Sequence, residues 1–169
     1  VSYHPTSVLP TSIIRFHQPD QTYTYHADGN LHTVTDARNH TFTLTNYHRG
    51  VPRSIAWPTG VSQSATVDAW GRITSVTDVL GHTTGYSYDA MGRLQEVLQE
   101  GESRHQYAYD AAGRLLSETR KIFAAGEARS VAYTHTPGGK RDTLVYPDGT
   151  QIAYTYNARG EVAAIGAPD

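Results

Sequence analysis

Along most of the chain, short runs alternate ring-bearing or aliphatic residues with small polar ones, break at a glycine, and begin again. In Tyr86-Ser87-Tyr88, Tyr107-Ala108-Tyr109 and Tyr154-Thr155-Tyr156 the two rings stand at i and i+2. That is the period of a β-strand, so both rings fall on one face. Each run meets a tetrapeptide such as Asp89-Ala90-Met91-Gly92 or Asp110-Ala111-Ala112-Gly113. An Asp or Asn opening such a turn accepts a backbone N–H two residues on, and the glycine takes the positive φ that closes it. The structural turn residues are therefore Asp89, Gly92, Asp110 and Gly113, and tight turns are expected at Gly29, Gly71, Gly92, Gly113 and Gly160. A return strand follows, as in Leu94-Gln95-Glu96-Val97-Leu98-Gln99, and the pair of strands reads as one β-hairpin.

The hairpin recurs. Gly29, Gly50, Gly71, Gly92 and Gly113 are each 21 residues apart, the series slips by five across 121–130, and Gly139 and Gly160 restore the spacing. Four and six residues before the glycine stand Tyr25 and Tyr23, Tyr88 and Tyr86, Tyr109 and Tyr107, Tyr156 and Tyr154, and His135 and Tyr133. Five residues after it come Val34, Ile55, Val76, Val97, Leu144 and Ile165, with Glu118 as the exception. A second turn former recurs as Asn39, Gly60, Gly81 and Gly149, with Gly101 one residue early. The expected organisation is an eroded repeat or N-terminal segment at 1–20, then seven repeats over 21–169 with a loop insertion near 121–130. One feature conflicts with a plain hairpin: apolar residues two and five past the glycine, such as Ile73 and Val76, have opposite parity. Either a bulge beside the turn returns them to one face, or both faces of the sheet are partly covered.

Tyr88-Asp89-Ala90-Met91-Gly92-Arg93-Leu94 and Tyr109-Asp110-Ala111-Ala112-Gly113-Arg114-Leu115 resemble the YD repeat of the Rhs family, as does Asp68-Ala69-Trp70-Gly71-Arg72-Ile73. That family includes bacterial polymorphic toxins, the C component of insecticidal toxin complexes, wall-associated toxins and the teneurins. The resemblance implies an all-β fold in which tandem 21-residue hairpins form a curved antiparallel sheet ribbon, a segment of a spiral β-shell. It implies as partners the remainder of that shell and an enclosed toxin domain in the parent protein, and a secreted or bacterial cell-surface location. The Asp-Pro-x-Gly elements of the family's self-cleaving segment are absent, since Tyr146-Pro147-Asp148-Gly149 has the reverse order at a repeat turn, so the protease is not carried over. The chain begins without Met and reads as a piece of a longer protein.

Composition narrows the chemistry. There is no cysteine, which removes disulfides, Cys-based zinc sites and thiol catalysis. A net charge of −2 with no block of like charge gives no footprint for nucleic acid, and no apolar run is long enough for a membrane-spanning helix. Nine histidines, four of them at His26, His32, His40 and His48, show no metal-ligand spacing, so neither a metal site nor another cofactor is expected. The phased Asp68, Asp89 and Asp110 are explained by turns, and repetition argues against a unique active site; the segment is read as non-catalytic. The arginine column Arg72, Arg93, Arg114 is expected to pair with acids of the neighbouring hairpin. The alternative function is glycan recognition at a cell surface, with Trp57, Trp70, Tyr86, Tyr88, Tyr107 and Tyr109 as stacking platforms. The bland reading of the same tyrosines is ring against ring between hairpins. Hairpins cut from a longer ribbon are also expected either to self-associate through sheet edges or the Tyr face, or to use their terminal segments as plugs.

Overall fold

The computed structural model describes residues 1–5, 7–15 and 18–167. Thr6, Phe16, His17, Pro168 and Asp169, which the ranges 1–20 and 21–169 include, lie outside the described residues. The fold is all-β: its helical content among the described residues is a single 3-10 turn, Phe123–Ala125. The chain divides into two units, Val1–Thr83 and Thr84–Asp169.

The first unit contains β1 (Ser2–Tyr3), β2 (Pro10–Arg15), β3 (Gln18–Tyr25), β4 (Leu31–Asp36), β5 (Thr41–Thr45), β6 (Ser54–Ala56), β7 (Ser62–Val67) and β8 (Ile73–Thr77). Each is antiparallel to its chain neighbours, in strict sequence order. The unit boundary falls within β9 (Thr83–Tyr88), and the second unit continues with β10 (Leu94–Gln99), β11 (Ser103–Tyr109), β12 (Leu115–Ile122), β13 (Ala128–His135), β14 (Arg141–Val145), β15 (Gln151–Tyr156) and β16 (Val162–Gly166). These too pair antiparallel in chain order. The five-residue slip in the repeat coincides with the long pair β12 and β13, of eight residues each, joined by the 3-10 turn and Gly126 at φ 77°.

The register explains the phased columns. The residue six before each glycine lies opposite the residue five after it: Tyr23 faces Val34, Leu44 faces Ile55, Ala65 faces Val76, Tyr86 faces Val97, Tyr107 faces Glu118, Tyr133 faces Leu144 and Tyr154 faces Ile165. The parity conflict is resolved by a bulge. In β9 and β10, Leu94 pairs with Tyr88 but Glu96 pairs with Ser87, which leaves Gln95 as the extra residue. Leu94 and Val97 therefore share the face of Tyr88 and Tyr86. The same shift recurs at Thr24/Tyr25, Thr66/Val67, Ala108/Tyr109, Tyr133/His135 and Thr155/Tyr156.

The turns follow one plan. Asp89 N–H donates to Arg93 O at 2.9 Å, Gly92 N–H donates to Asp89 O at 2.9 Å, and Gly92 holds φ 82°. This is the bulged hairpin loop in which a type I turn is followed by a left-handed residue. The copy at Gly50 departs from it: His48 and Val51 exchange both backbone bonds around Arg49 and Gly50, at φ 50° and 78°. Two successive positive φ values make a two-residue turn instead.

The core is thin. Among the described residues only Leu144, at 9% exposure, is a buried hydrophobic side chain, and Ser103, at 7%, the buried polar one. Neighbouring strands cover one another along their edges, and the tyrosines of the phased columns are half-buried.

Candidate functional site

The feature repeated with the most chemistry is the joint between successive hairpins, and its fullest form lies between the turns at Asp89 and Asp110. Asp89 Oδ1 accepts the N–H groups of Met91 and Arg93, each at 2.9 Å, and its Oδ2 accepts Arg93 Nε–H at 2.6 Å. The arginine so fixed reaches forward. Arg93 Nη1 donates to Asp110 O at 2.8 Å, and its guanidinium carbon lies 4.7 Å from the Tyr109 ring centroid. The tyrosine reaches back: Tyr109 Oη donates to Leu94 O at 3.0 Å. At this joint one hairpin therefore gives the next a cation and receives a phenol, with a cation–π contact worth about 0.5–1 kcal/mol between them. Each hydroxyl bond adds about 1 kcal/mol net.

Other joints keep parts of this arrangement. Asp110 accepts Ala112 N–H, Arg114 N–H and Arg114 Nε–H, and Arg114 Nη1 spans the insertion to Thr136 O at 3.3 Å. Where the arginine is replaced by Lys140, Nζ donates to Gly160 O at 2.7 Å and lies 4.8 Å from the Tyr156 centroid, while Tyr156 Oη donates to Arg141 O at 2.7 Å. In the first unit Tyr25 Oη donates to Pro10 O and Tyr47 Oη to Leu31 O. The arginine column thus departs from its expected partners. Asp68, Asp89 and Asp110 pair with Arg72, Arg93 and Arg114 of their own turns, because the five-residue loop brings position i+4 back over position i. What the described contacts of Arg93 and Arg114 reach in the next hairpin is a backbone carbonyl.

The electrostatics follow the geometry. Backbone N–H bonds from Arg93 and Arg114, with the guanidinium beside them, hold Asp89 and Asp110 below the usual carboxylate range against partial burial. At Asp68 burial is the largest single effect and raises the pKa, but the bonds from Arg72 and Trp70 together outweigh it and the carboxyl is lowered. Tyr133 is pushed up to about 12, by burial first and then by its bond to Glu118, whose Oε1 accepts the phenol at 2.5 Å.

The remaining residues singled out in the sequence are not gathered into one place. Tyr86, Tyr88, Tyr107 and Tyr109 lie half-buried in their strands, in the same face as the aliphatic columns. The Trp57 ring meets Phe42 edge-on at 6.2 Å, and Trp70, 77% exposed in its turn, has the Arg72 guanidinium 4.8 Å from its ring centroid. Of the clustered histidines, His26 and His32 bring their ring centroids to 4.3 Å, His26 Nε2 lies 3.0 Å from Leu44 O, and His40 Nδ1 lies 3.1 Å from Asp36 Oδ2. Among the described residues no group of three or more His, Cys, Asp or Glu side chains could hold a metal ion. No helix of the described residues is long and apolar enough to cross a membrane.

Residues 67–104, which contain the turn at Asp89 and the strands on both sides of it, match the RHS Repeat family model. These residues form an RHS repeat. No curated protein sequence matches it significantly. Among solved structures, the fold is similar to the crystal structure of TcdB2-TccC3-Cdc42, with a TM-score of 0.69 and 12% identity over 84% of this chain and 9% of that one. It is similar also to those of TcdB2-TccC3-TEV, at TM-score 0.68 and 13% identity over 88% of this chain and 9% of that one, and of TcdB2-TccC3, at 0.69 and 13% over 84% and 9%. The chain spans 9% of the length of each, and at these identities the likeness is one of fold.

Proposed function

We propose that the chain is a non-catalytic structural segment of an Rhs-repeat shell, a stretch of wall that encloses or presents a toxin or cell-surface module. The observation that carries this reading is the reciprocal joint of Arg93, Tyr109, Asp110 and Leu94 combined with a core in which, among the described residues, Leu144 is the buried hydrophobic side chain. Side chains and carbonyls hold hairpin to hairpin, and most of the aliphatic and tyrosine columns remain only half-buried. Such columns suit a wall lined against contents. Its partners would be the rest of the shell and an enclosed toxin domain in the parent protein, at a secreted or bacterial surface location. Each domain in this scheme is a run of repeats: seven over 21–169 and an eroded one before them, with the loop near 121–130 as a local insertion.

The glycan reading has less behind it, because Trp70 is already stacked by Arg72 and the four tyrosines are half-buried in their own sheet. The test is limited proteolysis of the parent protein, with and without Arg93→Ala plus Tyr109→Phe. Polypeptide enclosed by the repeats should resist cleavage in the native protein and be cut faster in the variant. Equal cleavage in both, at sites within the enclosed polypeptide, overturns the reading.

A further inference from the structure

On the Tyr-bearing face of the second unit, the sequence of rings and aliphatic residues is interrupted by charge at Arg141, whose guanidinium lies over the Tyr133 and Tyr154 rings, and at a row that begins with Glu118. Glu118 stands where other copies carry Val34, Ile55, Val76, Val97, Leu144 and Ile165. Two residues further along β12, on the same face, is Arg120. The register sets His105 of β11 directly opposite Arg120, and Arg120 directly opposite Arg129 of β13. Two guanidiniums and an imidazole therefore stand abreast on three adjacent strands, roughly 5 Å from strand to strand. Like charges placed directly opposite work against sheet pairing.

Nothing in the repeat requires this row. Arg129 lies at the insertion that breaks the 21-residue spacing, and Arg120 is outside the phased arginine column. Arg93 and Arg114 are each neutralised by an aspartate, and Arg104 has Glu96 at 3.4 Å. Among the described residues, neither Arg120 nor Arg129 has an ion pair. Glu118, the nearest acid on the face, directs Oε1 to the Tyr133 hydroxyl, and the Arg141 guanidinium carbon lies 4.6 Å from the Tyr133 ring centroid. Glu127 and Asp148 line an adjoining cleft that shares Arg129 and Pro147, and neither comes within ion-pair distance of the arginine.

Around the row is a cleft of about 290 Å³. Arg120 and Arg129 supply its positive charge, His105, Thr119 and Glu118 the rest of its polar lining, with Glu118 turned to the Tyr133 hydroxyl, and Tyr107, Val131 and Pro147 supply apolar walls. We propose that this cleft recognises an acidic side chain within a peptide segment, with the carboxylate held between Arg120 and Arg129 and the flanking apolar residues against Tyr107, Val131 and Pro147. Guanidinium forks match carboxylate oxygens in geometry as well as charge. A bound carboxylate also turns an opposed pair of cations into a bridged one, which gives the unpartnered row a reason to exist. The inference goes beyond the role of a wall, since hairpin joints alone need no such cleft.

The test uses the full chain of 169 residues at low salt, followed by the Nε–Hε resonances of Arg120 and Arg129 in nuclear magnetic resonance titrations. The probes are acetyl-Leu-Glu-Leu-amide, acetyl-Leu-Gln-Leu-amide and sodium phosphate. The Glu peptide should shift both resonances saturably, and the Gln peptide should bind about tenfold more weakly. Arg120→Gln and Arg129→Gln should each weaken the Glu peptide by about fivefold or more, while Arg38→Gln, in an exposed turn elsewhere, leaves it unchanged. Without peptide, Arg120→Gln should raise the denaturation midpoint, because it removes one of two opposed charges. The proposal is overturned if the Glu and Gln peptides bind alike or neither saturates. It is overturned also if phosphate binds as tightly as the Glu peptide, which would leave only a general anion site, or if Arg120→Gln lowers the midpoint, which would make the arginine a structural strut.

Discussion

At Gly92 the backbone sits at φ 82°, and the same kind of place in the second turn column is held by Asn39 at φ 62°. A β-branched side chain is strained there and asparagine is tolerated. Gly92→Val should therefore cost about 1–3 kcal/mol, with Gly92→Asn recovering most of it. Urea midpoints of the two variants check the order, and a valine variant as stable as the native chain would remove the turn from the account. Asp89 makes a second residue-scale argument. Its folded-state pKa is depressed, so the stability it contributes is present in full above its unfolded value of about 3.9 and is lost as pH falls through the folded value. The same holds for Asp68 and Asp110. Midpoints measured from pH 6 down to pH 2 should fall for the native chain, and fall less for the triple variant Asp68→Asn, Asp89→Asn, Asp110→Asn, which starts lower. Parallel curves for the two proteins would mean that these carboxylates do not carry the acid sensitivity.

At the scale of the hairpin, the bulge decides which side chains share a face. Gln95 is the extra residue opposite the Tyr88 and Ser87 pair, and it returns Val97 to the face of Leu94. Deleting Gln95 should make the strand either carry Leu94 to the opposite face or shift its register, since a one-residue slip exchanges the faces of a strand. The expected outcome is a lower urea midpoint and a larger effect than deleting Ala90 from the turn's exposed middle; equal effects would deny the bulge its role. The parity conflict at Ile73 and Val76 announced that something of this kind had to occur, but not which residue would be extra. A bulge of this type needs no glycine, so Thr74, Gln95 and Leu116 carry no mark in the sequence. Phase alone placed the hairpins, their glycines and the facing columns, because side-chain parity and turn chemistry are local. The joint was half legible. Tyr, Asp and Arg stood out as columns, yet the acceptors Leu94 O and Asp110 O are backbone groups, which no residue type advertises. Spacing also hid the turn at Gly50, where Arg49 takes a positive φ that its side chain does not favour.

Across the whole molecule, stability is shared between neighbours and not collected in a centre. Leu144 is buried where Tyr133 and Ile152 flank it on adjacent strands, and the Arg93 and Tyr109 bonds tie one turn to the next. With strands paired in chain order inside each unit, a lesion has few routes to distant strands. Repeat arrays of this kind behave as nearly one-dimensional sums of local stabilities and neighbour terms. Cooperative units in such an array can open separately, and amide exchange resolves them. Gly92→Val strikes the turn between β9 and β10, and through Arg93 the joint to β11. Amides of β9, β10 and β11 should therefore exchange faster in that variant, with the change fading along β12 and absent on β15 and β16. Hydrogen exchange followed by mass spectrometry on peptides covering 83–109 and 151–166 separates the two regions. A uniform loss of protection over both would show a single cooperative core instead, and the joint would then be one contact among many and not the unit from which the sheet is built.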